Sequence, residues 1–168
     1  PCPGLPGLFT VIAADGSQIN PNRHARVEYC VINVAAVKMV RGSGLAPEIL
    51  TRSQLLDFEN LFLPNGGLLS EGMVALKRDL QEREVILELA VELQSPALSM
   101  TDGPLELYRE PQDVSGFNQT LDRYLGILAR LKEKELMTLG YIDKPGSDLV
   151  VRLLELLQLD QRMDMDQI

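Results

Sequence analysis

Two apolar runs near the start of the chain have the composition of β-strands. The first covers Phe9 to Ala14 and ends at Asp15-Gly16-Ser17, and the second covers Val27 to Val40. The second run is rich in β-branched residues and almost continuously apolar, which is typical of a strand buried on both faces or of a long strand that bends. We predict that the two runs pair as a wide hairpin.

Helical spacing of apolar residues begins in the middle of the chain. Thr51-Arg52-Ser53-Gln54 fits a capping box, which predicts a helix from Leu55 that ends near Pro64. Ser70 is predicted to cap a second helix from Glu71 to about Gln94. The later elements are predicted as strand, helix, strand and helix: Ala97–Thr101, Phe117–Leu131, Leu136–Ile142, and a last helix capped by Ser147. This order predicts an α/β domain with a mixed β-sheet flanked by helices.

Size and charge restrict the class of protein. The 168 residues suffice for one domain with a core, and 16 basic against 24 acidic residues give a net charge of −8. This charge argues against a protein that coats nucleic acid by bulk attraction. Cys2 and Cys30 have neither metal nor disulfide spacing, which favours a reducing, cytoplasmic setting. We expect no membrane association, because no apolar run is long enough to cross a bilayer.

Several kinds of catalytic site are excluded by their missing motifs. The sequence has no P-loop and no GxSxG motif, and His24 is its one histidine. A histidine-rich zinc site or a Ser-His-Asp triad is therefore not predicted. Carboxylate chemistry remains, in which acidic side chains at strand ends hold Mg²⁺ or Mn²⁺ for reactions of phosphate esters.

Asp15 and Asp102 are the first candidates for such a site. Each follows an apolar strand and precedes a glycine. Asp-Gly is also a common turn dipeptide, so a purely structural role stays open for both.

The predicted helix from Glu71 supplies a third candidate, Glu84. At about 100° per residue, Glu84 falls within the apolar stripe that contains Leu80, whereas Glu82 projects away and Glu88 lies at the edge. A helix packed antiparallel to the strand before Asp102 would bring residues near Glu84 level with that aspartate. The alternative is a glutamate at the edge of the core that reaches water or pairs with a lysine.

These residues resemble the motifs of the NurA nuclease family. The matching segments are Ala14–Gln18, His24, Ile32–Val34, Thr101–Leu105 and Gly140–Pro145, and they occur in the family's order. The resemblance implies an RNase H-like fold and a nuclease that cleaves DNA with Mn²⁺, with Mg²⁺ as the alternative ion. It also implies DNA as substrate and a hexameric HerA-type ATPase as partner.

The resemblance assigns roles residue by residue. Asp15 and Asp102 would be the strand aspartates, and Glu84 would be the helix glutamate of the metal site, with Glu88 in reserve. Lys144 would match a basic catalytic residue near the substrate phosphate. The residues assigned to DNA binding are Ser17, His24 and Tyr141. The alternative for His24 is an ordinary surface histidine, and for Tyr141 an aromatic side chain of the sheet. Arg41, Arg52 and Lys77 could also touch phosphates, and the alternative for these three is solvated surface.

The leading hypothesis is a metal-dependent DNA nuclease, of the 5′-to-3′ exonuclease and single-strand endonuclease type, in DNA end processing and repair. Residues 1–168 would form a single NurA-like domain, without the late histidine-containing segment of the family. We further expect a homodimer that frames a basic channel. The rival hypotheses are a non-catalytic docking module for a ring ATPase and an α/β binding domain unrelated to nucleic acid.

Overall fold

The elements of the chain follow the predicted order except near residue 50. A computed structural model describes residues 4, 6–22, 24, 26–62, 67–93, 96–105, 114–143, 146 and 148–165. The elements within these residues are β1 (Phe9–Ile19), β2 (Cys30–Arg41), β3 (Glu48–Leu56), α1 (Phe58–Leu61), α2 (Glu71–Leu89), β4 (Ala97–Asp102), α3 (Val114–Glu133), β5 (Met137–Tyr141) and α4 (Leu149–Met165). Three strands therefore precede the first helix, where two were predicted.

The described strands form one mixed sheet in the order β3-β2-β1-β4-β5. β1 and β2 pair antiparallel, which confirms the predicted hairpin, and β3 pairs antiparallel with β2. β4 lies parallel to β1, and β5 lies parallel to β4. The predicted α/β class with a mixed sheet flanked by helices is confirmed.

β1 continues past the point where its apolar run ends. The ladder with β2 includes Asp15 opposite Ala35 and Gly16 opposite Val34, and it ends with Ile19 opposite Val31. Asp15-Gly16 is thus part of a strand, and the prediction that the strand ends there is wrong.

Thr51–Gln54 form part of a strand and not the predicted start of a helix. In the β2–β3 ladder, Thr51 lies opposite Ala35 and Gln54 lies opposite Ile32. This pairing satisfies the backbone groups along one side of β2, so it outweighs the local capping signal. The short helix α1 begins after Asp57, whose side chain makes no capping hydrogen bond.

Helix α2 begins at the predicted residue and is buried on two sides. The Ser70 hydroxyl accepts a hydrogen bond from the Met73 amide at 3.2 Å, as the predicted cap requires. The helix ends at Leu89, earlier than predicted. One side packs against β1 and β2 and another against α3. Fully buried side chains consequently occur around the helix, at Val74, Leu76, Val85 and Ile86.

Helix α4 has a strongly apolar surface that the described elements leave uncovered. The apolar residues that are each more than half exposed are Leu149, Val150, Val151, Leu153, Leu154, Leu156 and Leu157. α4 makes no substantial contact with another described element. Its predicted cap, Ser147, lies outside the described residues. Over the part of the chain that the structure describes, we find no helix with the length and apolar character of a membrane span.

Candidate functional site

Asp15 and Asp102 take matching positions on neighbouring strands. The parallel β1–β4 ladder ends at the pair Ala14 and Thr101, so each aspartate lies one residue beyond it. Neighbouring strands are about 4.8 Å apart, and residues at matching positions point to the same face of a sheet. Both aspartates are exposed. Asp15 and Asp102 therefore lie side by side on adjacent strands.

Tyr141 extends this row onto β5. It is the partner of Asp102 in the β4–β5 ladder, and its carbonyl oxygen accepts a hydrogen bond of 2.8 Å from the Gly103 amide. Gly103 has a φ of +88°, a conformation that side chains disfavour. A Cβ atom on Gly140 would lie 2.6 Å from the Gly103 oxygen. The two glycines therefore allow the tight turn that keeps Asp102 beside Tyr141.

Glu82 of α2 reaches β1 at Gly16. Its side chain is buried, with 5% of the residue exposed. Its Oε1 atom lies 2.6 Å from the position that a Cβ atom on Gly16 would take. The prediction that Glu82 projects away from the core is wrong. Since Gly16 has no side chain, it leaves room for this carboxylate against β1, at the residue after Asp15.

The surroundings of Glu82 disfavour its charged form. Burial, reinforced by the negative charges of Asp79 and Asp15, raises the pKa of Glu82 to about 7, although Arg78 and Arg83 oppose the change. Arg78 Nε lies 3.3 Å from Glu82 Oε1. Asp15 makes the smallest of these contributions. Glu82 is thus a carboxyl group that can gain or lose a proton near neutral pH.

Glu84 and Glu88 lie on a different side of α2. Glu84 Oε1 forms an ion pair of 2.5 Å with Arg123 Nη2 of α3, and Glu88 pairs with Arg52 of β3. The argument from helical spacing placed Glu84 on the core-facing side because it assumed a helix with one buried face. The helix α2 is instead buried on two sides. Glu82, and not Glu84, therefore lies against β1, at Gly16.

The remaining predicted residues divide between two places. Ser17 is two residues beyond Asp15 on β1 and is exposed on the same face of the sheet. His24 is exposed, and it lines a cavity of about 650 Å³ with Ser70 and Glu71 at the start of α2. Lys144 lies outside the described residues. Ser17 therefore extends the surface around Asp15, while His24 belongs to another region.

The donor set of this region fits a hard divalent cation. Asp15, Asp102 and Glu82 offer carboxylate oxygens, the ligands that Mg²⁺ and Mn²⁺ prefer. The space at Gly16 lets the third carboxylate approach from α2. The described residues do not, however, gather three or more acidic, histidine or cysteine side chains into a coordination group. The fit thus rests on donor chemistry and on strand position.

Comparisons with known proteins identify the family and the fold of this chain. The family model described as the NurA domain matches residues 9–164. The crystal structure of the NurA nuclease from Sulfolobus solfataricus is similar with a TM-score of 0.54 and 14% identity, over 83% of this chain and 49% of that one. The chain thus spans about half the length of that nuclease.

A type 1 RNase H with the type 2 active-site motif, LC9-RNase H1, is similar with a TM-score of 0.47 and 7% identity, over 86% of this chain and 67% of that one. No curated protein sequence matches significantly. The strand order and the similarity to the Sulfolobus structure confirm the expected RNase H-like fold. With a family match over nearly its whole length, the chain belongs to the NurA domain family.

Proposed function

We propose that this chain is a nuclease domain that hydrolyses phosphodiester bonds of DNA with a divalent metal ion. The observation that carries the proposal is the row of Asp15, Asp102 and Tyr141 on three neighbouring parallel strands, in a chain of the NurA domain family. Ligands bind characteristically at the carboxyl ends of such strands. We further propose Mn²⁺ as the ion, and 5′-to-3′ exonuclease and single-strand endonuclease activity in DNA end processing and repair.

The proposed metal ligands are Asp15, Asp102 and Glu82. Glu82 takes the role that the sequence assigned to Glu84, because Glu82 is buried against Gly16 and Glu84 pairs with Arg123. Burial disfavours the charged form of this carboxylate in spite of Arg78, and a metal ion would offset that cost.

The chemistry requires charge neutralisation and an activated water. A divalent cation supplies both when bound, because it polarises the scissile phosphate and lowers the pKa of a bound water. The hydroxyl groups of Tyr141 and Ser17 can donate hydrogen bonds to phosphate oxygens of the substrate. Lys144 is proposed as a cation near the same phosphate.

We also propose that the domain works on DNA ends with a HerA-type hexameric ATPase, and as a homodimer in the cytoplasm. The net charge of −8 supports a partner, because an acidic chain attracts DNA poorly by itself. The exposed apolar side chains of α4 support an oligomer. Cys30 is a free, buried thiol, which agrees with a reducing compartment.

A second candidate function is a non-catalytic NurA-like module that docks on a ring ATPase. It is favoured by one observation: within the described residues, no three acidic side chains converge as a metal group. Cleavage activity separates the two candidates.

The nuclease proposal is tested by cleavage of linear single- and double-stranded DNA with Mn²⁺, Mg²⁺ or EDTA. Asp102→Asn should lower the rate of cleavage at least about 100-fold, because it removes a carboxylate charge on which stabilisation of the transition state depends. It should also abolish thermal stabilisation by Mn²⁺, which arises from binding to the native state. Asp122→Asn, at an exposed position of α3, is the matched control and should leave both properties unchanged.

Cleavage that persists in EDTA or in Asp102→Asn would exclude the proposed site. An unaltered chain that binds a HerA-type ATPase but never cleaves DNA would favour the docking module.

A further inference from the structure

A groove lined by basic residues runs between β3, α2 and α3. Two adjoining cavities, of about 390 and 580 Å³, share Arg52, Glu84 and Arg123 in their walls and thus form one groove. The charged residues that line it are Arg52, Lys77, Glu84, Glu88, Arg123 and Arg130. We call this surface the basic groove. The sequence marked two of its members, Arg52 and Lys77, as residues that could touch phosphates.

The basic groove is positive although the chain is acidic. Its four cations and two anions give a net charge of +2, against −8 for the whole chain. In the Glu84–Arg123 pair the carboxylate side chain is 19% exposed and the guanidinium side chain 67%. The negative charge thus lies deeper than its partner. Within the part of the chain that the structure describes, neither Lys77 nor Arg130 has an ion-pair partner.

The ion pairs leave binding capacity in the groove. A guanidinium group has five N–H donors, and one carboxylate occupies two of them at most. Glu84 and Glu88 therefore hold Arg123 and Arg52 in place, while the remaining donors can meet another anion. Arginine is well suited to phosphate because its planar fork matches two phosphate oxygens.

The length of the basic groove suits a polymer of phosphates. Lys77 and Glu88 are eleven residues apart on α2, which corresponds to about 16 Å at 1.5 Å per residue. Successive phosphates of one DNA strand are about 3.4 Å apart along a duplex axis, so several fit within this length. The described lining contains no aromatic side chain on which a base could stack. These features point to contacts with a backbone and not with bases.

We propose that the basic groove binds the sugar–phosphate backbone of a DNA strand, as a contact separate from the carboxylates of β1 and β4. The choice of DNA as ligand rests on the proposed nuclease function. An acidic peptide is less well matched, because protein interfaces depend on aromatic and apolar anchors, and polar and charged side chains dominate this groove.

The test measures binding of a short fluorescein-labelled oligodeoxythymidylate by anisotropy in EDTA, over a series of salt concentrations. Lys77→Gln and Arg130→Gln remove cations without breaking an ion pair. Each should reduce the slope of log affinity against log salt by about 0.7, the value for one phosphate contact on a single strand. Arg152→Gln makes the same change of charge on α4, outside the groove, and should leave the slope unchanged.

Glu84→Gln provides a test in the opposite direction. It removes a negative charge from the groove and releases Arg123, so DNA binding should strengthen and the salt slope should become steeper. Glu155→Gln on α4 is its matched control, at an exposed position outside the groove. If Glu84 instead held the catalytic metal, its substitution would abolish cleavage and leave binding in EDTA unchanged.

Equal affinities for Lys77→Gln, Arg130→Gln and Arg152→Gln would overturn the proposal. Binding of fluorescein-labelled polyglutamate that the same variants weaken, without any binding of DNA, would reassign the groove to an acidic peptide. Binding in EDTA requires no cleavage. DNA binding that the groove variants weaken, in a chain that never cleaves DNA, would therefore overturn only the nuclease proposal. Cleavage that Asp102→Asn abolishes, in a chain whose DNA binding the groove variants leave unchanged, would overturn only the groove proposal.

Discussion

At the scale of single residues, Glu82 is a buried carboxyl group whose negative charge is only partly neutralised by its surroundings. Its carboxylate lies against Gly16, and Arg78 is its ion-pair partner at 3.3 Å. The negative charges of Asp79 and Asp15 add to the effect of burial on its pKa. The unfolded chain exposes the same carboxyl group to water, where its pKa is 4.5. The metal-free native state therefore holds this proton more tightly than the unfolded state.

This difference predicts how stability depends on pH. Between pH 4.5 and about 7 the native state binds more protons at Glu82, so the free energy of unfolding falls as pH rises through this window. The interval from 4.5 to about 7 corresponds to roughly 3 kcal/mol at 1.36 kcal/mol per pH unit. Glu82→Gln should remove this dependence and make the metal-free protein more stable above pH 7. Urea unfolding at about pH 5 and pH 8 measures the effect.

Glu92→Gln is the control, because it removes an exposed carboxylate just beyond the end of α2. The free energies of unfolding of Glu82→Gln and Glu92→Gln should differ only in the upper part of the pH range. Equal stability changes at both pH values would show that burial of Glu82 does not control its proton.

Gly16 controls the same carboxylate from the opposite side. In Gly16→Ala the new Cβ would lie 2.6 Å from Glu82 Oε1 and 2.7 Å from Arg78 Cγ, so both side chains must move. Cleavage with Mn²⁺ should fall at least about 10-fold, because small displacements of catalytic groups are costly. The circular dichroism spectrum should stay native.

Gly72→Ala, on the same helix as Glu82, meets no atom closer than 3.8 Å and should retain full activity. Normal cleavage by Gly16→Ala would mean that Glu82 does not act from this position.

At the scale of secondary structure, patterns that depend on local sequence were predictable. The apolar runs gave β1, β2, β4 and β5, and a hydroxyl cap fixed the start of α2, because each signal lies within the element itself. β3 was missed because its pairing with β2 is non-local and outweighs the capping signal of Thr51–Gln54.

The strand positions of the candidate site were predictable, whereas the helix residue that lies against β1 was not. Asp15 and Asp102 each follow an apolar run, and the parallel pairing of β1 and β4 gives them matching positions on neighbouring strands. Glu82 was missed because α2 packs against both the sheet and α3, and a helical wheel with one core face cannot describe this. Two local signals could have indicated Glu82. One is the glycine after Asp15, which marks a place where another part of the chain can approach the strand closely, and the other is Arg78, four residues before Glu82.

At the scale of the whole molecule, two apolar surfaces remain open in the described residues. One is the face of the sheet opposite α2, where Val37, Met39 and Leu139 are 38%, 47% and 40% exposed. The other is the apolar arc of α4, which includes Leu149, Leu153 and Leu157 at helical spacing. Exposed apolar surface of this extent is characteristic of interaction sites, and a second copy of the chain can cover it symmetrically.

The homodimer proposed above can be tested on α4 with two positions of nearly equal exposure. Leu153 is 58% exposed and lies within the apolar arc, whereas Val151 is 56% exposed and lies outside it. Leu153→Glu should dissociate the dimer, because each copy loses about 1.5 to 3 kcal/mol of apolar burial and a twofold interface counts the loss twice. Val151→Glu adds the same charge and should remain dimeric. Sedimentation velocity over a concentration series measures both, and a monomeric unaltered chain, or equal behaviour of the two variants, would rule out α4 as the dimer interface.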